Sequence, residues 1–131
     1  MIHKSLGLTV LFLMLFRLMW LIYTGKPHLP VAVPYWERVL SFLVQSCLYI
    51  FIFAQALSGW IMSISAGRTP TFFGLFPVPL YGVSENKALS EILAQFHYYF
   101  ALILIGLITL HVLGALKHAF YDKDEVMERM L

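Results

Sequence analysis

Charge is what this chain has least of. Only 12% of its 131 residues are charged, while 60% are hydrophobic and the mean hydropathy is +0.80. Globular domains sit nearer a quarter charged. So few charges cannot cover so much apolar surface in water, which excludes a soluble enzyme and a disordered tail. Cysteine is nearly absent too. The single Cys47 excludes an internal disulfide, and with it a secreted disulfide scaffold, and it fits no metal-binding spacing. Net charge is only +2, and no basic-aromatic stripe accompanies it, so nucleic acid is not a partner. Repeats and low-complexity segments are also lacking. What remains is a small integral membrane protein, read as one domain over residues 1–131.

Three long apolar stretches are present, at about 5–23, 39–63 and 92–116. Each can cross about 30 Å of hydrocarbon as a helix. The fold class expected is therefore all-α, with three transmembrane helices. Barrel strands would be half as long and would alternate polar with apolar residues. The start, Met1 to Lys4 before an apolar run, has the look of a signal peptide. No small-residue cleavage site follows it, however, and the run continues past Arg17 to Tyr23.

Lysine and arginine set the direction. With three spans, Lys4, Arg68 and Lys87 share one side, whereas Lys26, Arg38, Lys117, Lys123, Arg129 and the nearby Arg17 belong to the other. Six against three places the 24–38 loop and the C-terminus in the cytoplasm and the 64–90 loop outside. The outer loop carries Phe72, Phe73, Phe76, Pro77, Pro79 and Tyr81. It is expected to lie in the interface, as an anchor or as the roof of a cofactor pocket. The tail from Asp122 to Arg129 reads as a short solvated helix.

The chemistry rests on histidine. The five are His3, His28, His97, His111 and His118, and an imidazole inside a span marks a functional site by default. His97 and His111 are 14 residues apart, about 21 Å along one helix and close to four turns, so they share a face. His118 follows near the same face. His3 opens the first span, which runs parallel to the third, so His3 and His97 can face each other at similar depth.

Opposed imidazoles between parallel helices, with another further down, suit haem b with two axial histidines per iron. Zinc wants four ligands, and no Cys, Glu or Asp is expected within reach. Ala94, Ala101, Gly106, Gly114, Ala115 and Gly7 supply the small neighbours a flat macrocycle needs. The plainer alternatives are a packing histidine at 97 and 111 and a frayed terminal residue at 3. His118 is read first as an interfacial residue and second as a ligand. His28, after Pro27, is read as solvated. Arg17 either snorkels to the interface or neutralises a haem propionate. The aromatics, Tyr98 and Tyr99 included, are read as lipid-facing or core.

These pieces occur in a recognisable order. His3-Lys4-Ser5-Leu6-Gly7 is followed by Arg17-Leu18-Met19-Trp20, Trp36-Glu37-Arg38 and Leu48-Tyr49. Then come Ser58-Gly59-Trp60-Ile61-Met62-Ser63, Ala66-Gly67-Arg68 and Phe72-Phe73-Gly74-Leu75-Phe76. His97, Leu110-His111, Ala115-Leu116-Lys117-His118 and Arg129-Met130-Leu131 complete it. In this order, over essentially the whole chain, the sequence resembles the prokaryotic cytochrome b561 family. These are di-haem four-helix proteins of the bacterial inner membrane.

The resemblance implies single-electron transfer with the ubiquinone pool through two b haems, and some members are similar to superoxide oxidases. It implies that His3 and His97 are axial ligands of the outer haem and that His111 is a ligand of the inner one. At least one haem is expected here.

One departure stands out. Family members begin with a further helix that supplies the partner of His111, so the three spans correspond to helices 2–4 of the bundle. A late start or a truncated sequence is the expected explanation, ahead of a true three-helix variant. His118 or a second subunit, in a dimer or complex, would have to complete the inner site. Members often carry a histidine where Gln45 stands, and Gln45 is given no haem role. The rival readings are a cytochrome anchor of a dehydrogenase or hydrogenase complex and an inactive fragment without haem. A transporter lacks both a polar path and broken inverted repeats.

Overall fold

The computed structural model describes residues 2–25 and 34–121, with Tyr121 described by its backbone only. The expectations for Lys26, Pro27, His28 and the 122–131 tail lie outside the described residues. Three helices carry the fold: α1 (Ile2–Thr24), α2 (Tyr35–Ser65) and α3 (Lys87–Leu116), the last continuing into a π-helical turn over Lys117–Tyr121. All three are long and apolar enough to cross a membrane. Between α2 and α3 lies a small antiparallel hairpin, β1 (Thr71–Phe72) with β2 (Phe76–Pro77).

Polarity runs inside out compared with a water-soluble protein. The most buried of the described residues include Ser5, Ser58, Ser63, Ser65 and Glu37, together with Leu8, Leu11 and Leu104. Phe12, Leu13, Phe16, Ile22, Phe42, Ile50, Ile105 and Leu113 face outward. Lipid is as apolar as leucine, so burying leucine between spans gains little. Small and hydroxyl-bearing residues let helices approach closely and are favoured at such interfaces. Serine can also return its hydroxyl to its own helix, as Ser65 does to the Ile61 carbonyl at 2.8 Å.

The helices overrun the apolar stretches because local chemistry decides their ends. Pro34 sits at φ −60° in extended geometry, and α2 starts at the next residue. This puts Glu37 in the first helical turn, where a negative charge opposes the helix dipole. Gly67, at φ +76°, ends α2: its N–H bonds the Ile64 carbonyl and that of Arg68 bonds Ser63, each at 2.9 Å. Asn86 caps α3 by accepting the Leu89 N–H at 3.1 Å.

α2 is the central element. α1 and α3 both pack on it, and no close backbone approach joins α1 to α3 among the described residues. Polar ties fix the two ends. At one end, Lys4 Nζ donates to Ser63 Oγ at 2.8 Å and the Asn86 N–H to the Ser65 carbonyl at 2.8 Å. This end gathers the start of α1, the end of α2 and the start of α3. At the other end Lys117 pairs with Glu37, joining the end of α3 to the start of α2. The first end is called the outer one, after the side that the lysine and arginine count expects for it.

The hairpin is tied to the outer end. Ser5 Oγ donates to the Thr71 carbonyl at 3.1 Å and accepts the Phe73 N–H at 2.9 Å. Trp60 Nε1 donates to the Val78 carbonyl at 3.0 Å. Phe73 holds φ +50°, a conformation non-glycine residues rarely adopt. The bond to Ser5 holds it there. The aromatic loop is thus packed on the start of α1.

Candidate functional site

The gap between α1 and α3 is bridged by two histidines. His3, in the first turn of α1, and His97, in α3, bring their ring centres to 6.1 Å with planes at 88°. Metal–nitrogen bonds of about 2 Å, with each ring centre roughly 1.2 Å behind its nitrogen, place two axial imidazoles on one iron about 6 Å apart. The two rings stand at that spacing, on helices whose backbones stay apart. The spacing suits two imidazoles on one iron, while both nitrogens of the His97 ring are turned to α2.

His97 is also held by α2, at both ring nitrogens. Ser58 Oγ lies 3.0 Å from Nδ1, and Gln55 Nε2 lies 3.2 Å from Nε2. Gly59 permits this closeness: a Cβ there would stand 2.9 Å from His97 Cε1, so a side chain would push the ring away. Gln55, Ser58 and Gly59 come from one face of α2, at i, i+3 and i+4. Sequence analysis gave no role to Gln55 or to the Ser58–Gly59 pair. The signal existed, because a glutamine and a serine three apart in an apolar span are costly unless something meets them.

The inner end is built differently. A groove of about 130 Å³ lies between the start of α2 and the end of α3, lined by Trp36, Glu37, Gln45, His111, Lys117 and His118 among others. Glu37 is 9% exposed; Oε1 accepts from Lys117 Nζ, and Oε2 lies 3.9 Å from His118 Nε2. Lys117 Nζ also stands 5.6 Å from the Trp36 ring centre. His118 is only 12% exposed, seated against this carboxylate.

The expectation that no Glu comes within reach of the histidines is therefore corrected. The helical start at Tyr35 swings Glu37 inward beside His118. Among the described residues, no three His, Cys, Asp or Glu side chains gather into a metal site.

Of the sequence candidates, the structure brings His3 to His97, while His111 and His118 line one groove. It keeps the two pairs apart, at opposite ends of the bundle. His111 lies in α3 and His118 in the π-helical turn that continues it, and no histidine faces them from another helix among the described residues. Arg17 lies 14 residues from His3 on α1, about 21 Å along the axis and away from the outer pair.

The sequence profile of the family described as prokaryotic cytochrome b561 matches residues 1–131. The chain is 30% identical over 131 residues to cytochrome b561 homolog 2 of Escherichia coli (strain K12), covering 99% of this chain and 69% of that protein. It is 28% identical over 129 residues to cytochrome b561 homolog 1 of the same strain, covering 98% and 72%. It is 30% identical over 132 residues to the probable superoxide oxidase CybB of Yersinia pestis, covering 100% and 73%. A paired-histidine gap between apolar helices and a family match along its whole length agree: this chain belongs to the prokaryotic cytochrome b561 family.

Proposed function

We propose that the chain is a b-type cytochrome of the bacterial inner membrane that passes single electrons between an outer-face donor and the ubiquinone pool. The observation that carries this reading is the perpendicular His3–His97 pair at 6.1 Å. Superoxide is a candidate donor, supported by the likeness to a probable superoxide oxidase. The 131 residues act as one membrane unit, with the C-terminus in the cytoplasm as the lysine and arginine count directs.

Haem, when bound, supplies a one-electron centre whose potential follows its axial ligands, their hydrogen bonds and burial. The protein's residues do the rest. His3 and His97 hold the outer group from opposite walls. The serine and glycine of α2 set the His97 ring. The outward leucines and phenylalanines keep the site in lipid. At the inner end His111 is the ligand, and His118 is a weaker candidate for it. The position opposite His111 is open to a ligand from a second subunit or dimer partner. Arg17, on the inner half of α1, suits a propionate of the inner group better than of the outer one.

The test is a reduced-minus-oxidised spectrum of the chain purified in detergent, with haem counted per chain. A six-coordinate b-type spectrum is expected, at one haem or more per chain, and His97→Ala should abolish the outer signal. A His97→Ala protein with full haem content would refute the ligand assignment. A colourless chain would make it a fragment without redox activity.

A further inference from the structure

The contacts of His97 with α2 determine which ring nitrogen carries hydrogen. Ser58 Oγ donates to the Gln55 backbone carbonyl at 2.9 Å. With that single proton on the Gln55 carbonyl, Oγ accepts at 3.0 Å from His97 Nδ1. Nδ1 must then carry the hydrogen. On the other side of the ring, the Gln55 side-chain amide nitrogen, a donor, lies 3.2 Å from Nε2. A donor meets a lone pair, so Nε2 is bare. With the Gln55 amide oriented this way, the two contacts agree on one tautomer. Ser58 is 6% exposed, so water does not readily replace it.

We infer that Ser58 is a positioning residue. It locks His97 as the Nδ1–H tautomer, so that the Nε2 lone pair is the one offered to iron. Gln55 occupies that lone pair with an amide N–H until a metal takes its place. Gln55 Oε1 is buried and has no hydrogen-bond partner, so this amide is poorly satisfied where it stands and gives way cheaply. Gly59 completes the arrangement by letting the ring lie against α2. The inference rests on the reading of His97 as a ligand. It adds the second partner that metal-bound histidines take on their free N–H, which fixes tautomer and orientation and raises basicity.

Two measurements on the full chain test it. The first is 15N NMR of the His97 ring in the haem-free protein. Nδ1–H is expected in the parent and in Ser58→Thr, and a shift toward Nε2–H in Ser58→Ala. The second is a redox titration of the haem-loaded protein. Ser58→Ala is expected to bind haem about tenfold more weakly. If the tenfold loss falls on the oxidised state, the midpoint potential rises by about 59 mV, because a hydrogen-bonded imidazole is the stronger base. Ser58→Thr should restore both.

An Nε2–H parent would overturn the inference, as would a Ser58→Ala protein with unchanged tautomer and potential. If Ser58→Ala does not fold, the parent spectrum and the threonine variant still decide. The two readings fail separately. Full haem content in His97→Ala removes the ligand. Loss of haem there, beside an unmoved Ser58→Ala potential, removes only the role of Ser58.

Discussion

The two ends of this bundle use histidine in opposite ways. At the outer end the two rings come from different helices and face each other across a gap, and His97 meets neutral groups: Ser58, Gln55 and the backbone at Gly59. At the inner end both histidines come from α3 and the π-helical turn that continues it, and His118 sits against the Glu37–Lys117 ion pair. The outer arrangement can clasp something flat between two walls. The inner arrangement presents one wall of imidazole to a wall of polar and charged groups from α2. A histidine count would rate the ends as equal. Which helix supplies each ring, and what meets its second nitrogen, makes them different.

The sharpest way to break this contrast is to remove one ring from each end. His97→Ala is expected to lose the outer haem outright, and His111→Ala to leave that signal in place. Haem stoichiometry and the reduced spectrum read both. If the two variants lost haem equally, the ends would be one coupled site and the contrast would fall.

Much of this was legible in the sequence. Three apolar stretches and five histidines gave the spans, and the 14-residue interval put His97 and His111 on one face. Pairing His3 with His97 needed only the rule that alternate spans run parallel. The groups that hold the His97 ring were not legible in the same way. Ser58 and Gln55 matter because α2 turns one face toward α3, and an almost uniformly apolar helix carries no amphipathic stripe to say which face that is. Glu37 was misplaced for a local reason: the prolines of the 24–38 stretch suggested loop, yet helix begins directly after Pro34. The hairpin was read as interfacial loop, since two-residue strands leave too little alternation to detect.

Next in size comes the cradle of His97. Gly59→Val places branched carbon where a Cβ alone would be 2.9 Å from the ring. It should displace His97, weaken haem binding at the outer end and cost about 1–3 kcal/mol of stability through overpacking. Gly114→Val is the control: a Cβ there meets nothing within 4 Å in the haem-free chain. Detergent melting and haem titration of the pair would show whether the tight approach is peculiar to the outer site.

Ser5→Ala tests the outer end from another side. This fully buried hydroxyl holds both the Thr71 carbonyl and the Phe73 N–H. Its loss leaves a backbone donor without a partner and should cost about 1–3 kcal/mol. Hydrogen exchange at Phe73 should rise with it, since that residue's unusual φ depends on the tie. Unchanged exchange would detach the hairpin from the site.

The smallest effect is expected at the inner end, from Glu37→Gln. A carboxylate at 9% exposure would ordinarily be costly to neutralise beside its partner, because the cation left behind loses its counter-charge. Here the partner has an escape. The Lys117 side chain is 42% exposed, sits near the Trp36 ring and can turn its ammonium to water. The pair therefore behaves more like a surface ion pair, and the loss should be about 1 kcal/mol in melting experiments. The outer haem spectrum should not move. A shift of the outer potential in Glu37→Gln would instead mean that charge at the inner groove is felt at the other end of α3. The two ends would then have to be treated as one electrostatic unit despite their different construction.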